Sequence, residues 1–164
     1  MMKIIYGNMS LDVLEKRIHD AISGLEFWGD LNISQEEYEI LRERMSERME
    51  LGLSVSEMQL KYPLCLTTVA VFMVRYKFNV NFWSLLCSEL GITLGELDRA
   101  PLGRCILNTF NANGFDISEI ESPRIYLDPI IYEACLPPDS CVDDLFYVLK
   151  NDAHAVFDPT AIID

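Results

Sequence analysis

SQEEYEILRERMSERMELG, residues 34–52, decides the fold class. Ser34 and Glu37 stand in the S-x-x-E relation of a capping box, in which each side chain takes up a backbone N–H left free at a helix start. Ile33 before the cap and Tyr38 in the second turn are placed for a hydrophobic staple. Tyr38, Leu41, Met45 and Met49 then recur at intervals of three and four, the buried stripe of an amphipathic helix. Gly52 supplies the stop, since glycine enters the left-handed conformation that closes a helix at no steric cost. A helix is the expectation for this stretch.

The same punctuation recurs on both sides of it. Upstream, Ser10 is an N-cap and Asp12 a favourable first-turn acid, and Leu11, Leu14, Ile18, Ala21, Ile22 and Leu25 keep helical spacing. Gly29 and Asn32 break that pattern, and Lys3–Tyr6 reads as a short strand or an ordered arm. Downstream, Ser54 and Glu57 form a second box, opening a short helix that ends at Pro63. Proline fits the first position of the next helix, Leu64 to about Lys77. Leu64–Val74 is almost continuously apolar and marks a buried central helix. Val69, Val71, Val74 and two threonines also suit a buried strand, but the length favours helix.

Beyond that segment, Asn81 caps a helix running to Leu90, with Gly91 as its stop. Thr93 and Glu96 form a third box. Pro101 opens a further helix with Leu102, Cys105, Ile106 and Phe110 as its stripe, ended by Asn113-Gly114. Asp128-Pro129 starts Ile130–Cys135, Pro137-Pro138 stops it, and Ser140 starts Cys141–Leu149. The reading is an all-α, compact array of about eight to ten short helices. It is organised as one domain over 1–164 or as two lobes, about 1–60 and 61–164. Asp158-Pro159 opens one more helix a few residues before Asp164, so the expectation is the N-terminal part of a longer chain.

Composition narrows the class. Half of the 164 residues are hydrophobic, which excludes disorder as the main state. The formal net charge is −13, from 26 acids and 13 lysines and arginines. Residues 105–164 contribute most of that excess, with only Arg124 and Lys150 as cations. Direct nucleic-acid binding needs a basic footprint, and anionic membranes attract basic segments, so neither partner is expected. The longest apolar run is too short to span a bilayer. Five cysteines, an odd number without a C-x-x-C pair, point to a reducing, cytoplasmic setting.

Catalytic and metal chemistry find few parts. His19 and His154 lack H-E-x-x-H spacing, the cysteines lack paired ligand spacing, and no calcium loop occurs, so no metal or cofactor is expected. There is no G-x-S-x-G elbow, no P-loop and no G-x-G-x-x-G. Cys65, Cys87 and Cys105 fall where core side chains belong, and a buried thiol without a cationic neighbour is inert. Cys135 and Cys141, flanking the Pro137-Pro138 turn, are the candidates for a cysteine-dependent enzyme.

One surface has shape. At about 100° per residue, Glu36, Glu39, Glu43, Glu47 and Glu50 fall in one arc opposite the Tyr38–Leu41–Met45–Met49 stripe, with Arg42, Arg44 and Arg48 outside it. An ordinary solvated face accounts for such an arc. A ridge presented to a basic partner or neighbouring domain is the sharper reading.

From Tyr62 onward, Tyr62-Pro63-Leu64-Cys65-Leu66, Phe82-Trp83, Leu90-Gly91-Ile92, Leu102-Gly103, Asn113-Gly114, Pro129-Ile130-Ile131 and Leu145-Phe146 form a pattern. Across roughly residues 55–150 it resembles the helical N-terminal region of large, mostly uncharacterised bacterial proteins, a group that includes candidates for phage defence. The resemblance rests on apolar and turn residues and transfers no catalytic residue. It implies a bacterial origin and a chain continuing beyond Asp164. The leading expectation is a non-catalytic interaction or assembly domain of such a protein, with apolar grooves between helices as a second surface. The alternatives are an acidic inhibitor mimicking nucleic acid and the cysteine enzyme.

Overall fold

The computed structural model describes residues 4–77, 81–93, 96–116 and 127–134. The chain divides after Ala134, and all of these residues belong to the first unit, Met1–Ala134. The helix expected over Cys141–Leu149, the helix start at Asp158-Pro159 and both Cys135 and Cys141 lie outside the described residues.

Among the described residues every regular element is helical: α1 (Leu11–Ile22), α2 (Gln35–Glu50), α3 (Val55–Lys61), α4 (Pro63–Tyr76), α5 (Phe82–Leu90), α6 (Glu96–Ala112) and α7 (Leu127–Glu133), with a 3₁₀ turn at Trp28–Asp30. These seven α-helices are fewer than the eight to ten expected. One difference lies at Pro101, expected to open a helix of its own. The structure instead runs α6 through it. Proline removes one hydrogen bond and crowds the carbonyl four residues back. Here that carbonyl belongs to Leu97, the second residue of α6, so the cost falls on the first turn and the helix continues. At α7 the start is Leu127, so Asp128, read as the cap, lies inside the first turn, and Pro129 stays in that turn, where no donor is needed.

The local signals act as read. Two of the capping boxes close, Ser34 with Glu37 and Ser54 with Glu57, while the box read at Thr93 and Glu96 lies partly outside the described residues. The Asn81 side chain accepts from the Ser84 N–H at 3.0 Å. Helix α2 ends in a Schellman arrangement: Gly52 has φ 115°, the Leu53 N–H reaches Arg48 O at 3.0 Å, and the Gly52 N–H reaches Met49 O at 3.1 Å. Gly91 repeats the device at the end of α5 with φ 65°, and a Cβ there would meet Ser46 Oγ of α2 at 3.0 Å. Residues 4–6 form an ordered arm and not a strand. Arg17 Nε donates to Ile4 O at 2.8 Å, and the Ile5 N–H lies 3.4 Å from Glu37 Oε2.

Helix α4 is the hub, resolving the helix-or-strand alternative. Leu64 to Met73 are all buried, and α4 packs against every other helix and the 3₁₀ turn. It therefore touches elements on both sides of residue 60. Each large apolar side chain taken fully out of water there contributes about 1.5–3 kcal/mol. Buried polar groups in this core have partners drawn from far along the chain. Trp28 Nε1 donates to Thr68 Oγ1 at 3.0 Å, and the Trp28 N–H donates to Glu133 Oε1 at 2.9 Å, tying α7 to the 3₁₀ turn. Thr67 Oγ1 is buried and has no hydrogen-bond partner among the described residues. No described helix is long and apolar enough to cross a membrane.

Candidate functional site

The acidic arc on α2 keeps its place but not its uniformity. Glu36, Glu43, Glu47 and Glu50 are exposed, while Glu39 is half-buried. Glu36 sits in the first turn, where the helix dipole favours a negative charge; Glu50 is the last residue, where it does not. Arg42 and Arg44, read as lying outside the arc, reach into it. Arg42 Nε is 3.2 Å from Glu39 and its Nη2 3.4 Å from Glu43, and Arg44 Nη1 is 3.4 Å from Glu47. Of these pairs, those to the exposed Glu43 and Glu47 contribute little, typically below about 1 kcal/mol. Arg48 turns the other way and lies over the Tyr62 ring, 5.7 Å from its centroid.

Beneath the arc lies a network that the hydrophobic pattern did not suggest. Tyr38, read as an apolar stripe residue, donates its hydroxyl to Glu89 Oε1 of α5 at 2.6 Å. Lys77, the C-cap of α4, reaches the same carboxylate at 2.9 Å and also pairs with Glu39 of α2. Arg42 Nη1 donates to the Glu89 backbone oxygen at 2.9 Å, capping a late carbonyl of α5. Three helices thus meet on one shared set of charges.

The network shifts its members. Burial, followed by the hydrogen bond to Glu89, pushes the Tyr38 phenol far above its ordinary range. The hydrogen bond from Lys77 holds the Glu39 carboxyl below its usual value. For Lys77, desolvation is the largest influence and opposes the charge, but its bonds to Glu39 and Glu89 together outweigh it and raise the ammonium.

At the other end of α4, Tyr62 precedes Pro63 and supplies no side-chain cap. Glu15 of α1 takes over, accepting the Leu64 N–H at 2.9 Å and the Cys65 N–H at 2.8 Å through its two oxygens. Burial raises this carboxyl, opposed by the two amides. Beside it opens a groove of about 620 Å³ between α1 and α6, floored by the α3–α4 junction. Cys105 borders the groove, but burial pushes its thiol up, and burial together with Glu15 pushes Cys65 well up. Both shifts disfavour the nucleophilic thiolate. Among the described residues no three His, Cys, Asp or Glu side chains are grouped to hold a metal ion.

Sequence reasoning missed Lys77, Glu89 and Glu15. Their partners lie far along the chain, and no local pattern signals such pairings. Comparison of the chain with protein-family models, curated proteins and solved structures gave no match.

Proposed function

We propose that this domain is a non-catalytic interaction module whose acidic α2 face docks a basic surface on a partner protein or a neighbouring domain. The supporting observation is a division of labour among charges on one 16-residue helix. Glu36, Glu43, Glu47 and Glu50 are exposed, and Arg42 and Arg44 offset part of that charge through Glu43 and Glu47. Arg42 is also held by the Glu89 backbone and Arg48 by the Tyr62 ring. Complementary charge of this type steers encounter and sets register more than it adds affinity. The resemblance of residues 55–150 to the N-terminal regions of large bacterial proteins makes a neighbouring domain the partner this reading favours.

The test is capture from a lysate on the immobilised chain, wild type beside the charge-reversed Glu36→Lys/Glu43→Lys/Glu50→Lys variant. A specific partner should elute at the first salt steps, because exposed charges are screened beyond about 10 Å at 0.1 M. The variant should fail to retain it. Equal retention by both proteins would remove the α2 face from the account.

A further inference from the structure

Two carboxylates far apart in sequence hold consecutive amides of the 3₁₀ turn. Asp30 Oδ2 accepts the Phe27 N–H at 3.1 Å, and Glu133 Oε1 of α7 accepts the Trp28 N–H at 2.9 Å. Adjacent amides bring the two acids together, and like charges sharing a site disfavour the second ionisation. Asp30 is exposed, whereas Glu133 is only 2% exposed. Neither has an ion pair among the described residues. Arg75, the cation of α4 beside the turn, donates to Gly29 O and lies against the Phe72 and Tyr76 rings. Phe110 of α6 and Phe115 beyond it present neutral rings to Trp28, and the remaining charges on these segments, Asp116 and Asp128, are acids.

Helix α7 depends on its docking. Its seven residues are too few for an isolated helix, so it is folded only while it is held. Pro129, Ile130 and Ala134 are buried, the Tyr132 ring meets Phe27 edge-on at 5.3 Å, and Glu133 is the polar tie. The first unit ends directly after this helix, at Ala134. Burial raises the Glu133 carboxyl; the Trp28 amide opposes that rise and Asp30 adds to it.

We infer that α7 is a latch on the core, released as the buried Glu133 carboxyl ionises beside Asp30. Protonated, Glu133 still accepts the Trp28 amide and carries no charge. Ionised, it is a second negative charge at the turn, and moving into water relieves it. That movement undocks α7 and unfolds it. The device does not depend on the α2 face.

The test is NMR-detected hydrogen exchange of the Trp28 and Ala134 amides in the full chain, from pH 4.5 to about pH 8, corrected for the intrinsic pH dependence of exchange. Glu133 has the raised value when docked and the ordinary 4.5 when free, so docking weakens as pH rises from 4.5 through the docked value. Both amides should lose protection in that window, by up to about tenfold per pH unit for one proton, while the hub amide of Val69 should not. Glu133→Gln keeps an acceptor oxygen but cannot ionise, and its protection should stay flat. Asp30→Asn, at an exposed position, should end the loss at a lower pH, and it serves as the second variant should Glu133→Gln fold poorly. Flat protection in wild type, a loss that survives in Glu133→Gln, an unmoved window in Asp30→Asn, or an equal loss at Val69 would overturn the inference.

Discussion

The two ends of α4 are held by opposite charges in opposite ways. At its N-terminus one carboxylate, Glu15, grips two backbone amides of the first turn and is half-buried. At its C-terminus one ammonium, Lys77, is shared by two carboxylates, Glu39 and Glu89, close to the surface. Each sign matches the helix macrodipole at its own end. The environments differ, so the energetics should differ. A carboxylate held by two backbone amides acts at short range and is weakly screened, whereas a partly exposed ion pair between long side chains is screened by salt and worth less. The comparison bears on function because the α2 face adjoins the second anchor.

Breaking the N-terminal anchor should have the largest effect. Glu15→Ala leaves two amides without their acceptor and should cost about 2–3 kcal/mol in a denaturant melt, with little salt dependence. Glu15→Gln, which keeps one acceptor oxygen, should lose less. If Glu15→Ala melts with wild type, the two-amide cap contributes nothing and the comparison collapses.

Breaking the C-terminal anchor should cost less. Lys77→Met should lower stability by no more than about 1 kcal/mol, and the loss should shrink as salt rises. The pH dependence separates the ends further. Glu39 has a folded value below the ordinary 4.5, so its contribution is present above that value and disappears as pH falls through the lower folded one. Wild type and Lys77→Met should therefore converge in acid. Glu15 has a folded value above 4.5, so its linked stability is present below 4.5 and is lost as pH rises through the folded value. Wild type should accordingly gain on Glu15→Gln as pH falls through that raised folded value toward 4.5. Parallel curves for both variants would show that the anchors are not distinct.

Between the ends, the smallest effect belongs to Thr67, whose buried hydroxyl lacks a partner among the described residues. Thr67→Val should stabilise by up to about 1 kcal/mol, because a buried unsatisfied group is replaced by an apolar one of similar size. A destabilised variant would mean that this hydroxyl does have a partner.

What the chain's sequence makes legible follows from range. Ser34 with Glu37, Ser54 with Glu57, Asn81, Gly52 and Gly91 act within a turn or two of themselves, and each sets the boundary expected of it. Pro101 misleads because its local penalty depends on how much helix precedes it, and α6 has one turn there. Glu15 and Leu64 are 49 positions apart and Tyr38 and Glu89 are 51 apart. Such pairs are fixed by helix packing around α4, which no spacing rule encodes. The acidic arc was legible as an arc of helix positions. That Arg42 and Arg44 would bend into it, and Arg48 away from it, depends on where α3 and α5 place Tyr62 and Glu89.

The most direct measurement of the central claim is zero-length carbodiimide cross-linking of the chain in cells, read by mass spectrometry. The account predicts amide bonds from Glu36, Glu43, Glu47 or Glu50 to lysines of another domain or protein. Cross-links to partners arising only from other faces, with the α2 carboxylates joined to nothing beyond this chain's own lysines, would contradict it.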